Sequence, residues 1–186
     1  MRLMILAVLL FNTGFVGIGF AHNICEAEMI AASRRYDVPL GVLYAVGLTE
    51  TGYKDSLQPY ALNIEGRTVF ARNESEALQI FHDAREKGAR LIDLGCMQIN
   101  YYYHGAQFAS PKAMLQPAAN VRYAARFLRE LYEKQGSWTM AVARYHAGPH
   151  NNPAQKRYVC RIMGNMIASG FGRWTKSSKE FCREEK

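Results

Sequence analysis

Glu50, in the segment VGLTETGY, is the carboxylate best placed for chemistry. It ends an apolar run, and Thr51 and Gly52 predict that a helix stops just after it. The negative end of the helix dipole and desolvation by neighbours such as Val46 would both favour the protonated form, which a general acid needs. A second segment, DLGCMQIN at residues 93 to 100, runs directly into YYYH at 101 to 104. Gly95 lets backbone approach a ligand closely, Gln98 and Asn100 offer paired donors and acceptors, and the tyrosines offer flat faces with polar tips. That mixture suits a carbohydrate, whose rings have apolar faces and whose rims carry hydroxyl and acetamido groups. A third segment, ARYHAGPHN at 143 to 151, displays Tyr145 and His146 at a helix end, just before a Gly148-Pro149 break.

Other chemistries find little support. His146 and His150 suggest a metal pair, but HEXXH is absent and the Gly-Pro break spoils the helix that would align them. No P-loop and no G-x-S-x-G elbow occurs, so neither a metal nor a cofactor is expected. The remaining lone carboxylates, Asp55, Glu65 and Asp93, are read as turn and surface groups.

The elements that must position these residues are mostly helical. Pro39 opens a helix through VLYAVGLTE, Asn73 caps ESEALQIFHDAREK before Gly88, and Ser110-Pro111 opens a short helix. Pro117 opens PAANVRYAARFLRELYEKQ, in which Val121, Ala124, Ala125, Leu128, Leu131 and Tyr132 form one apolar stripe that Gly136 ends. Ser137 caps SWTMAVARY, and Pro153 opens a final helix with Val159, Ile162, Met163, Met166 and Ile167 inward. Strand character is confined to Tyr60 to Ala71, with a hairpin turn at Glu65-Gly66, and to Ala89 to Leu94. The expected class is α+β, mainly α, with a small antiparallel β-hairpin region.

The first 21 of the 186 residues place Arg2 before an apolar core from Leu3 to Phe11 and end on Gly19 and Ala21 at the −3 and −1 positions of a cleavage site. They read as a secretory signal peptide, since that core is shorter than the roughly 20 residues of a membrane span. Residues 22–186 then form a single domain, exported to the periplasm, monomeric and without a transmembrane anchor. The net charge of +7 falls to +6 once Arg2 is removed, favouring anionic surfaces such as a wall polymer, an acidic membrane or nucleic acid. The basic residues are scattered, however, and no nucleic-acid motif is present, so they are read as a solvated surface. Four cysteines, Cys25, Cys96, Cys160 and Cys182, permit structural disulfides in an exported chain; three full pairings are open, and joining Cys25 to Cys182 would tie the two ends together.

The ordered set LTETG, GCMQIN, NVRYAARFL and ARYHAGP resembles the soluble lytic transglycosylase (SLT) family of the lysozyme-like superfamily, over roughly Cys25 to Tyr158. The resemblance implies a lysozyme-like, goose-type helical domain with Glu50 as catalytic acid. Gly95, Met97 and Gln98 would line the substrate groove, with Asn100 beside them and Tyr145 and His146 facing the same cleft. Thr51, Cys96 and His146 stand where the family has serine, leucine and asparagine, and His146 makes that contact pH dependent. The implied partner is the glycan strand of peptidoglycan, cut to open the wall locally for a secretion, conjugation or flagellar apparatus. The longer stretch from Leu57 to Leu91 is where a partner surface is expected.

The resemblance also implies a mechanism with one carboxylate. Glu50 protonates the bond between N-acetylmuramic acid and N-acetylglucosamine, the sugar's own N-acetyl group steadies the anomeric carbon, and Glu50 then deprotonates the C6 hydroxyl that closes a 1,6-anhydro ring. Two rivals remain. One is a goose-type lysozyme-like muramidase using water, and the other is a catalytically idle wall-binding scaffold.

Overall fold

The computed structural model describes residues 23–53, 56–147 and 152–183. The expected leader, Asp55 and the 148–151 stretch lie outside the described residues.

Asn23 accepts the Cys25 amide on its side chain and opens α1 (Ile24–Tyr36), which ends where Asp37 turns left-handed at φ 51°. Pro39, with φ already fixed and no amide hydrogen to orphan, precedes α2 (Leu40–Thr51) as expected. A two-residue turn, Glu65 and Gly66 at φ 50° and 89°, joins β1 (Ala61–Ile64) to β2 (Arg67–Phe70), the primed geometry that matches strand twist. Asn73 caps α3 (Glu74–Glu86) by accepting the Glu76 amide. β3 (Ile92–Leu94) starts later than the expected Ala89, because the Arg90 and Leu91 amides donate to the Glu65 carboxylate instead. β4 (Ile99–Asn100) and α4 (Tyr101–His104) follow, the latter capped by Asn100.

Ser110 then caps α5 (Pro111–Leu115), and Pro117 opens α6 (Pro117–Gln135), which stops at Gly136 with φ 73°. The Ser137 hydroxyl accepts the Met140 amide at the start of α7 (Trp138–Ala147). α8 (Asn152–Ala168) and α9 (Lys176–Phe181) complete the described chain. Helix α1, the strand β4, the one-turn α4 and the final α9 have no counterpart among the expected elements; the other elements fall where local caps and turns place them.

α2 is apolar on nearly every side and is buried accordingly: Val42, Leu43, Ala45 and Val46 all lie in the core. It packs on α1 and α8, while α6 packs on α1 and α7, and α7 on α8. The expected stripe of α6 is buried at Val121, Ala124, Ala125 and Leu128, and Leu131 and Tyr132 are half-buried at its end. On α8, Val159 and Ile162 are buried and Met163 and Met166 pack against them.

The sheet runs in the order β2-β1-β3-β4, antiparallel throughout. Its register aligns Val69, Leu62, Leu94 and Ile99 in one row and Thr68, Asn63, Asp93 and Asn100 in the next. Because side chains alternate across a strand, the apolar row faces the core and the polar row faces away from it. The stretch from Leu57 to Leu91 is no detachable insertion: it supplies β1, the strand between β2 and β3, and buries Leu57, Leu62, Ala77 and Phe81.

Of the three pairings left open by the sequence, the disulfides join Cys25 to Cys96 and Cys160 to Cys182, so the two ends are not tied to each other. Cys96 follows β3 in a loop that lies over the first turn of α1, and α9 carries Cys182 back onto α8.

Candidate functional site

Glu50 is the penultimate residue of α2, and Gly52 closes that helix by donating its amide to the Leu48 carbonyl at 3.0 Å. A Cβ at Gly52 would stand 2.4 Å from the Leu48 oxygen, so only glycine allows this tight exit. The Glu50 side chain is 17% exposed. The Tyr158 hydroxyl of α8 donates to its Oε1 at 2.6 Å, and His146 Nδ1 lies 3.7 Å from the same oxygen. The His146 ring stacks flat on Tyr158, with centroids 4.0 Å apart and planes at 4°, which orients both rings beside the acid. Burial first, then the Glu50 charge, push the Tyr158 hydroxyl well above its ordinary range, so it remains a proton-bearing donor.

The loop from Gly95 to Gln98 is held by one buried amide. Asn120, at 0% exposure on α6, accepts the Met97 amide at 2.9 Å and donates to the carbonyls of Leu94 and Met114 at 2.8 and 3.0 Å. Gly95 has φ 78°, and a Cβ there would meet the Asn120 amide nitrogen at 2.7 Å; both facts demand glycine. The Thr51 hydroxyl lies 3.3 Å from the Cys96 carbonyl and 3.1 Å from the Gly47 carbonyl, so it binds the loop to the end of α2.

Several expected site residues therefore act through the framework. Met97 was expected to line the groove, but its side chain is in the core at 0% exposure, and its carbonyl accepts the Tyr145 hydroxyl at 2.8 Å. Gln98, at φ 46°, donates its amide to the Ala61 and Gly95 carbonyls. Asn100 caps α4 with its oxygen and donates its amide to Asp93 Oδ1 at 2.6 Å. Tyr145 and His146 both sit at the Glu50 end of the molecule, and burial followed by the charges of Glu50 and Asp93 raises the Tyr145 hydroxyl well above its ordinary range.

Asp93 corrects the reading of it as a turn or surface group. It lies in β3 between the buried Ile92 and Leu94, so strand alternation turns its half-buried side chain onto the polar row with Asn63 and Asn100. Burial pushes its carboxyl from 3.8 up to about 6; the Asn100 amide and His146 oppose that rise and the Glu50 charge adds to it. Asp93 and Tyr158 are functional candidates that sequence reasoning missed, and Asn120, the first residue of the NVRYAARFL segment, was given no role there. For Asp93 the alternation in IDL was a usable signal; for Tyr158, which reaches Glu50 from 108 residues away, there was none.

A cavity of about 760 Å³ also opens beside α2, lined by Glu26, Tyr44, Leu48, Asn165 and Phe171 among others, and neither Glu50 nor Asp93 lines it. Among the described residues, no group of three or more His, Cys, Asp or Glu is arranged to hold a metal ion.

The sequence profile described as Transglycosylase SLT domain matches residues 28–161, a span containing Glu50, Asp93, Asn120, Tyr145, His146 and Tyr158. The protein described as Protein virB1, from Agrobacterium fabrum, is 27% identical over 107 residues, covering 54% of this chain and 43% of that protein. The chain thus matches less than half the length of this relative. No solved structure matches the chain.

Proposed function

The chain belongs to the Transglycosylase SLT domain family, and from that premise we propose that it cuts the glycan strands of peptidoglycan with Glu50 as general acid. The observation that carries this reading is the half-buried Glu50 carboxyl at the end of α2, held by the Tyr158 hydroxyl at 2.6 Å with His146 beside it. Glu50 protonates the glycosidic oxygen between N-acetylmuramic acid and N-acetylglucosamine while the acetamido oxygen of the muramic residue supports the anomeric carbon. Glu50 then takes the proton of the C6 hydroxyl, whose oxygen closes the 1,6-anhydro ring. The Gly95 to Gln98 backbone, with Asn100, Tyr145 and His146 around it, forms the wall against which the sugars lie.

Two disulfides support action in an oxidising compartment, the periplasm, after removal of residues 1–21. Local opening of the wall for a secretion, conjugation or flagellar apparatus completes the proposal. A muramidase reading is favoured by one observation, the placement of Asp93 within electrostatic reach of Glu50, since hydrolytic glycosidases use a carboxylate pair. Weighing the muropeptides released from purified peptidoglycan separates the two, because anhydro ends are lighter than hydrolytic ends by one water. Reducing ends alone would overturn the transglycosylase reading. Glu50→Gln should lower turnover by about 10²–10⁴-fold, the usual worth of a general acid; wild-type clearance by this variant would remove Glu50 from the reaction.

A further inference from the structure

We propose that the rings of Tyr53 and Phe70 form a stacking platform for a distant sugar of the bound strand, so that the enzyme favours long glycans over short ones. This rests on the glycan-cleaving reading above and adds to it a second point of contact, outside the reaction centre.

Two chain segments bring the rings together. Gly52 ends α2, and Tyr53 leaves that exit only three residues after Glu50, its backbone pairing with Ser56 in a short antiparallel bridge. Phe70 is the last residue of β2. Arg67 and Val69 of that strand line a hollow against Ile80 and Ala84 of α3, so alternation turns Thr68 and Phe70 to the other face. Register sets Thr68 in the polar row that runs through Asn63 to Asp93 and Asn100. It pairs Phe70 with Ala61, whose carbonyl accepts the Gly95 amide at 2.9 Å. Phe70 therefore shares the face of the polar row but stands two strands from β3, roughly 10 Å to the side at about 4.8 Å per strand. A sugar that reaches it lies beyond those joined by the bond that Glu50 protonates.

The ring centroids lie 4.8 Å apart with planes at 31°, and Tyr53 and Phe70 remain 48% and 40% exposed. Neither ring lies in the core. Edge strands are usually blunted with charged or polar side chains, yet this one ends in an exposed phenyl ring on the sheet face that is otherwise polar. Pyranose rings offer C–H faces, and packing one on an aromatic ring removes apolar surface of both from water. Every sugar of a strand has such a face, so the platform grips the strand without choosing one sugar. The contact is the same before and during bond cleavage. It therefore contributes uniform binding, which lowers KM and leaves kcat alone.

The test measures kcat and KM of wild type, Phe70→Leu and Phe70→Trp on peptide-free glycan strands, with thermal unfolding of each. The strands are fractionated into long ones and short ones that hold only the sugars beside the cut bond. Phe70→Leu keeps apolar bulk on the strand but has no flat face, and it is expected to raise KM for long strands about tenfold, the worth of one stacking contact. Its kcat and Tm should hold, its KM for short strands should match wild type, and Phe70→Trp should restore the low KM. An unchanged KM for long strands overturns the proposal, as does an equal rise for short and long. Binding of long strands by Glu50→Gln, with and without Phe70→Leu, is read by cosedimentation and needs no cleavage. If wild type leaves the strands intact while binding still depends on Phe70, the cleavage reading fails and the platform stands. If wild type cuts and neither KM nor binding responds to Phe70→Leu, only the platform is lost.

Discussion

At the scale of single residues, Glu50 depends on a tyrosine that touches it with one atom. A hydrogen bond to a charged group contributes about 1.5–3 kcal/mol, so Tyr158→Phe, which keeps the ring and its stacking on His146, should lower kcat about tenfold and leave KM unchanged. Steady-state kinetics decide; a raised KM with intact kcat would mean that Tyr158 binds sugar rather than holding the acid. Asp93 makes a second prediction, about stability. Its folded carboxyl sits at about 6 against an ordinary 3.8, so the folded chain binds more protons in that interval and loses stability as pH rises through it. Asp93→Asn should therefore match wild type near pH 3.5 and exceed it by on the order of 2 kcal/mol above pH 7, as read by urea unfolding at both pH values. A variant less stable than wild type at neutral pH would show that the charge supports the fold.

At the scale of elements, the loop after β3 owes its shape to α6. Asn120 satisfies the Met97 amide and two carbonyls with no exposure to water. Asn120→Ala would orphan all three groups, and at about 1–3 kcal/mol for each buried group left unpaired the expected loss is about 3 kcal/mol or more. Hydrogen exchange should find the Met97 amide newly unprotected, and turnover should fall because Tyr145 hangs from the Met97 carbonyl. Retained protection at Met97 would place the anchor elsewhere. The hairpin stretch belongs to the same construction: removing residues 57 to 91 would take away β1 and β2 and leave β3 paired with β4 alone, so a partner surface there is better probed by substitutions on exposed positions of α3.

At the scale of the whole molecule, the two disulfides divide the work. Cys25–Cys96 closes 71 residues and Cys160–Cys182 closes 22, so loop entropy assigns them about 4 and about 3 kcal/mol. Losing the first should reduce both Tm and kcat, since Cys96 adjoins Met97; losing the second should reduce Tm while kcat stays near wild type. Calorimetry and turnover of the paired Cys→Ala variants test this, and equal kcat losses from both would contradict it. The sequence by itself determined what is local: the caps at Asn73 and Ser110, the stop at Gly136, the hairpin turn at Glu65-Gly66, the polar and apolar faces of α6, and the position of Glu50 at a helix end. These are decided within a few residues, by side chains that reach their own backbone and by allowed φ. Tertiary structure alone decided the cysteine pairing, the burial of Met97, the spending of Gln98 on backbone carbonyls, and the meeting of Glu50 with Tyr158. Those contacts join residues tens to over a hundred positions apart, and no spacing along a chain records which distant groups packing will bring together.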